Sequence, residues 1–179
     1  MNKAKVILIP GNGGATPQDG WFPYLERELP KLGVAVINKQ FPDPILARQE
    51  FWVPFIKELG ADENTILIGH SSGAIAALRF AEKNKIFATL LIGAYYTDLG
   101  EESEKKSGYF IDPWEWESIK NNQKFIIQFA STDDPFIPIE EARVLSRNLN
   151  TDYHEYTDQK HFMKLEFPEL VEVLKSKLN

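Results

Sequence analysis

The run Thr65-Ile66-Leu67-Ile68-Gly69-His70-Ser71-Ser72-Gly73-Ala74-Ile75-Ala76-Ala77-Leu78 sets the tightest limit on what this chain can fold into. A short apolar stretch with β-branched residues reads as a strand, and the alanine-rich stretch after it reads as a helix. Only Gly69 to Gly73 lie between them. So short a reversal brings strand and helix backbones together at the turn, so the residues two before and two after Ser71 must be small. Glycine stands at both positions. Gly-x-Ser-x-Gly in this setting leaves one hydroxyl at the tip of a tight turn, where a serine nucleophile is placed.

The same alternation runs through the rest of the chain. Strands are predicted near Val6–Ile9, Val34–Asn38, Thr65–Gly69, Ala88–Ile92, Phe125–Ala130 and Tyr153–Tyr156. Helices are predicted over Trp21–Leu32, Ile45–Leu59, Gly73–Lys83, Ile139–Leu149 and Phe167–Leu178. In the last of these Phe167, Leu170, Val171, Leu174 and Leu178 share one helical face. Strands alternating with helices predict about six mostly parallel strands covered by helices on both faces. With the serine turn, the expected architecture is a compact α/β-hydrolase fold, one domain over residues 1–179 without a separate cap domain.

Composition narrows the classes of function. The 43% hydrophobic and 26% charged residues are those of an ordinary globular chain. A net charge of −6 with both signs interspersed argues against a nucleic-acid partner, because phosphate binding draws on a basic patch. The chain has no cysteine, which excludes disulfides, thiolate nucleophiles and thiolate metal sites, and is compatible with a cytoplasmic location, the one expected. Met1–Lys5 followed by Val6–Ile9 has the basic-then-apolar order of a signal peptide, but the run stops at Pro10 and reads as the first strand. No apolar run approaches the roughly 20 residues that span a bilayer, so no membrane partner is expected.

Parallel strands joined by right-handed crossovers put their carboxyl ends on one edge of the sheet, where ligands bind. Asn12, Ser71, Asp134 and His161 follow strands one, three, five and six, and so fall on that edge. The hydrolase chain order is serine, then acid, then histidine. His70 lies inside the serine turn and His154 within a strand pattern, whereas His161 stands between the last strand and the last helix, as a general base should. Asp134, Asp133 and Asp158 are the candidate acids, although an aspartate before prolines is also a common helix cap. Pro10-Gly11-Asn12-Gly13-Gly14 lacks the Gly-x-Gly-x-x-Gly spacing of a dinucleotide site. It is suited instead to giving an oxyanion hole one backbone N–H, and the expected pair of donors is Asn12 and Ser72. Residues 95–122 break the rhythm. Their aromatic residues are expected either to pack on the core or to shape the substrate pocket, through Tyr109, Phe110, Trp114 and Trp116.

Four motifs carry a resemblance. They are Pro-Gly-Asn-Gly-Gly from Pro10, Gly-His-Ser-Ser-Gly-Ala-Ile-Ala-Ala from Gly69, Ser-Gly-Tyr-Phe with Pro-Trp-x-Trp from Ser107, and Ser-Thr-Asp-Asp-Pro-Phe from Ser131. Over essentially the whole chain the sequence resembles the small serine hydrolases similar to retinoblastoma-binding protein nine and the bacterial YdeN-like proteins. The resemblance implies Ser71 as nucleophile, Asp134 as the acid of a triad and His161 as base. Two positions depart from the pattern: Lys160 stands where glycine often precedes the base, and a chain without cysteine has no Leu-x-Cys-x-Glu motif for the retinoblastoma pocket. The expected activity is hydrolysis of a small-molecule ester or amide through an acyl-serine, with no cofactor, no metal and no protein partner assigned. A protein-interaction module with vestigial catalysis, and acyl transfer or aminopeptidase-like amide cleavage on the same scaffold, are the alternatives.

Overall fold

The computed structural model describes residues 4–178. Its strands are β1 (Lys5–Ile9), β2 (Ala35–Asn38), β3 (Thr65–His70), β4 (Ala88–Ile92), β5 (Phe125–Ser131) and β6 (Asp152–Tyr156). Its helices are α1 (Phe22–Glu28), α2 (Gln49–Glu58), α3 (Ser72–Ala81), α4 (Glu102–Ser107), α5 (Trp116–Asn121), α6 (Ile139–Leu149) and α7 (Pro168–Leu178). The strands form one six-stranded sheet in the order β2-β1-β3-β4-β5-β6, parallel at every pairing. This is the α/β-hydrolase arrangement expected from the sequence.

Strand alternation divides the core into two layers. Val6 and Leu8 of β1, Ile66 and Ile68 of β3 and Leu90 of β4 pack with Phe22 and Leu25 of α1 and Leu170 and Leu174 of α7. Their neighbours Ile7, Ile9, Leu67 and Leu91 face the opposite layer, against Trp52 and Ile56 of α2, α3, and Leu145 and Leu149 of α6. Burying one such side chain stabilises the fold by about 1.5–3 kcal/mol before chain entropy is counted. All ten residues of α3 are buried, and its small residues let the helix lie close behind the sheet centre.

Two predicted helices are shorter than expected. The first ends at Glu28 and tightens into a 3-10 turn over Leu29–Leu32. Pro30 has no N–H to continue the α-helical ladder, and Gly33 at φ 79° closes the turn. The second begins at Gln49 rather than Ile45, because Asp43 and Ala47 adopt φ 47° and 54° and Arg48 donates from both its backbone N and its Nε to Asp43 Oδ2. In the segment that breaks the rhythm the structure has α4 and α5.

From β1 the chain passes to β2 on one side, and from β3 to β4 on the other. The crevice at the carboxyl ends of β1 and β3 is therefore the topological switch point, and the Asn12 loop and Ser71 both open onto it. Among the described residues no helix is long and apolar enough to cross a membrane.

Candidate active site

Ser71 joins β3 to α3 at φ 54° and ψ −123°, a backbone state that side-chain-bearing residues seldom adopt. Hydrogen bonds hold it there: Ser71 N donates to Ile92 O at 2.8 Å, and Ala74 N donates to Ser71 O at 2.9 Å as α3 begins. The two glycines have separate steric reasons. A Cβ on Gly69 would overlap the Gly73 carbonyl and the Ala74 amide, and one on Gly73 would overlap the Ile9 and Pro10 carbonyls. The first glycine admits the helix start, and the second admits the end of β1.

His161 lies between two residues in left-handed conformations, Lys160 at φ 49° and Phe162 at φ 55°. Its Nδ1 lies 2.7 Å from Asp134 Oδ2; with the proton on Nδ1 donated to that carboxylate, Nε2 is the nitrogen left facing the cavity. Asp134 uses its second oxygen for the backbone: Oδ1 accepts from Phe136 N at 2.9 Å and Ile137 N at 3.1 Å. One carboxylate thus caps a turn and orients the imidazole. Asp133 does different work, since its Oδ1 accepts from Ser131 Oγ at 2.6 Å and Lys160 N at 2.8 Å, tying the end of β5 to the loop before His161. The Ser131 hydroxyl in particular holds the Asp133 carboxyl below the usual range. Asp158 is exposed, and its carboxylate accepts only from Gln159 Nε2 among the described residues.

The backbone of the histidine loop is clamped by the serine turn itself. His70 Nε2–H donates to His161 O at 2.8 Å, and Trp21 Nε1–H donates to Phe162 O at 3.1 Å. Burial, with His161 nearby, lowers the His70 pKa to about 4, so this ring remains neutral and serves as a strut. The third histidine, His154, lies on β6 with its ring stacked on Phe129. Gly93 makes room for the His161 ring, because a Cβ there would come within 3.0 Å of His161 Cε1.

Ser71, His161 and Asn12 line one cavity of about 470 Å³, together with Trp21, Phe136 and Met163. No hydrogen bond joins Ser71 Oγ to another described residue, so the hydroxyl and the ring share the cavity without a direct bond. Backbone donors around it divide sharply. The amides of Ser71, Gly13 and Gly14 are spent on Ile92 O, Ile45 O and Pro44 O, whereas those of Asn12 and Ser72 have no backbone acceptor among the described residues. Among those residues no group of three or more His, Asp or Glu side chains converges as a metal would require.

The family model described as Serine hydrolase matches residues 6–169. The chain belongs to the serine hydrolase family. It is 48% identical over 177 residues to the serine hydrolase RBBP9 of Rattus norvegicus, covering 97% of this chain and 95% of that one. Similarity extends to the ydeN gene product of Bacillus subtilis, at 25% identity over 166 residues. The crystal structure of that gene product superposes with a TM-score of 0.87 over 98% of this chain and 99% of the other. The fold is shared more widely, as with MGS-M2, an α/β-hydrolase enzyme from a deep-sea metagenome, at a TM-score of 0.73, 14% identity and coverage of 99% and 89%.

The aromatic stretch lies apart from this cavity of the serine hydrolase. Tyr109, Phe110, Trp114 and Trp116 do not line the cavity. Arg79, on α3, holds their segment elsewhere: its Nε donates to Tyr109 O at 2.9 Å, Nη2 to Asp112 O at 2.7 Å and Nη1 to Pro113 O at 3.2 Å. The guanidinium lies 3.8 Å from the centre of the Trp114 ring, and Trp114 stacks on Trp116. These aromatics pack against the core, and the apolar wall of the cavity is made by Trp21, Phe136 and Met163. Sequence reading also missed Glu104, which lines the cavity from α4. Its one-dimensional signal was the i, i+3 pair with Ser107, the only two buried positions of α4.

Proposed function

We propose that this serine hydrolase cleaves small carboxylic esters or amides through an acyl-serine intermediate. Ser71 Oγ attacks the carbonyl carbon while its proton passes to His161 Nε2. Asp134 keeps the proton on Nδ1, fixing the productive tautomer, and stabilises the imidazolium that forms. The carbonyl oxygen, now an anion, is received by the Asn12 and Ser72 amides. Each such donor is worth roughly 10²–10³ in rate. When the intermediate collapses, the bond to the leaving group breaks and that group takes the proton from Nε2. Water then repeats the sequence on the acyl-serine, releasing the acid and restoring Ser71.

The observation that carries this reading is the His161 Nδ1–Asp134 Oδ2 bond at 2.7 Å in the cavity that Ser71 also lines, an arrangement in which a neutral imidazole holds Nε2 free to act as base. The exposed apolar side chains of Phe136 and Met163 beside it favour a substrate with an apolar acyl or leaving group. Residues 1–179 are read as one catalytic domain, in keeping with a family match from 6 to 169. The test is labelling of wild type and Ser71→Ala with a fluorophosphonate, read by intact mass, beside hydrolysis of p-nitrophenyl esters. A single adduct is expected on wild type and none on the variant, with kcat lowered by at least ~10⁴-fold. Undiminished ester hydrolysis by Ser71→Ala would overturn the assignment.

A further inference from the structure

Glu104 is a buried carboxylate, 7% exposed, carried by the short helix α4 to the cavity wall. A charge in such a place costs several kcal/mol unless its hydrogen bonds are well made. Here both oxygens are used. Oε1 accepts from Asn12 Nδ2 at 2.8 Å and Oε2 accepts from Tyr95 Oη at 2.8 Å. Tyr95 Oη in turn lies 3.1 Å from Ser72 Oγ, and with its own proton given to Glu104 it accepts from that hydroxyl. Burial raises the Glu104 pKa, and the bonds from Tyr95 and Asn12 oppose that rise. Glu104 is therefore linked to both residues whose amides were left without backbone acceptors, directly to Asn12 after β1 and through Tyr95 to Ser72 after β3.

The two ends of this network differ in stiffness. Ser72 is the first residue of a buried helix, which already fixes its peptide plane. Asn12 lies between Gly11 and the left-handed glycines Gly13 and Gly14, where the backbone is freest. Among the described residues its side chain tethers that stretch, together with the Gly13 and Gly14 amides. We propose that Glu104 is a positioning residue of the oxyanion hole, holding the Asn12 peptide, and more weakly that of Ser72, in line with the developing anion. This rests on the acyl-serine reading above, with Asn12 and Ser72 as donors. An interaction realised at the transition state changes kcat rather than KM.

The experiment is steady-state kinetics on a p-nitrophenyl ester, with affinity for a trifluoromethyl ketone as the probe of oxyanion binding, in Glu104→Leu, Asn12→Ala, their double variant and Glu104→Gln. Glu104→Leu and Asn12→Ala should each lower kcat by roughly 10–100-fold and weaken the ketone in parallel, with KM within about 3-fold of wild type. The double variant should be no worse than either single one, because both break the same tether. Glu104→Gln should stay within about 3-fold of wild type, since its amide oxygen accepts from Asn12 and its amide N–H donates to Tyr95, re-forming the chain without charge. Wild-type kcat in Asn12→Ala or Glu104→Leu, a loss confined to KM, or additive losses in the double variant would overturn the proposal. If Glu104→Leu does not fold, Asn12→Ala decides by the same criteria, because it leaves the carboxylate in place. Fluorophosphonate labelling separates the two levels: an unlabelled wild type defeats the acyl-serine reading, whereas a labelled wild type with indifferent variants defeats only the role of Glu104.

Discussion

The serine turn at Gly69–Gly73 and the aromatic stretch at Ser107–Trp116 are the two most distinctive passages of the chain, and they do opposite things with their polar groups. In the aromatic stretch the carbonyls of Tyr109, Asp112 and Pro113 accept from Arg79, which pairs with Glu82 at 2.7 Å and lies against Trp114, and the buried Tyr109 hydroxyl alone has no partner there among the described residues. Around the serine turn key groups are left unspent. Ser71 Oγ, His161 Nε2 and the amides of Asn12 and Ser72 have no hydrogen-bond partner among the described residues, and a cavity opens beside Ser71 and His161. A folded chain leaves few polar groups unpaired in partly buried places. Such a cluster beside a cavity marks a place where a substrate supplies the missing partners, whereas a motif whose carbonyls are taken up by a buried arginine marks an anchor.

The sharpest way to break this comparison is Arg79→Ala. Removing one partner of a buried pair leaves Glu82 uncompensated and frees three carbonyls, so stability should fall by about 3–5 kcal/mol. The expected signature is a lower urea midpoint with kcat and KM of the folded enzyme within a few-fold of wild type. If instead the melt were unchanged and kcat fell sharply, the aromatic stretch would belong to the site after all.

The serine turn should announce itself in the pH dependence of stability. His70 titrates at about 4 in the fold, against roughly 6.5 in an unfolded chain. Between these values the unfolded state binds the extra proton, so this contribution is whole above pH 6.5, is lost as pH falls, and changes no further below about 4. The loss between pH 7 and 4.5 is on the order of 2 kcal/mol. Acidic residues elsewhere titrate as well, so the measurement is the difference in urea unfolding free energy between wild type and His70→Gln, which keeps an N–H for the His161 carbonyl. The variant should show a flatter acid limb. Parallel limbs would mean that His70 is protonated in the fold, and its role as a neutral strut would fall.

How far the sequence could be read follows the same physics. The strands were legible because a sheet buried on both faces imposes long apolar runs, and the serine turn because two backbone approaches exclude any Cβ at Gly69 and Gly73. Helix ends were less legible where a contact decides them: Arg48 closing on Asp43 delays α2 in a way no local pattern signals. Asp134 was ambiguous for a physical reason, since capping and orienting a histidine use different oxygens of one carboxylate and both are made here. The place of the Tyr109–Trp116 stretch was not legible because contacts with Arg79, 30 or more residues away in the chain, decide it. Glu104 was hidden among the charges of Glu101–Lys106, where only its inward direction sets it apart.

The smallest effect tests the one position of the histidine loop that departs from the common pattern. Lys160 adopts φ 49°, so the turn keeps a glycine-like shape with a side chain in place. Left-handed backbone costs a non-glycine residue about 1–2 kcal/mol, and glycine would return about 0.5–1 kcal/mol of that by enlarging the unfolded ensemble. Lys160→Gly should therefore stabilise by about 0.5 kcal/mol, a rise in Tm of about 1–2 °C for a chain of this length. The bond that matters is from the backbone, Lys160 N to Asp133 Oδ1, and glycine retains it. Unchanged kcat with a slightly higher Tm would show that the loop is held by Asp133 and His70, not by the lysine side chain. A fall in kcat would mean that the restricted backbone of Lys160 is itself part of what keeps the imidazole aimed, and would move this residue from the anchored side of the comparison to the working one.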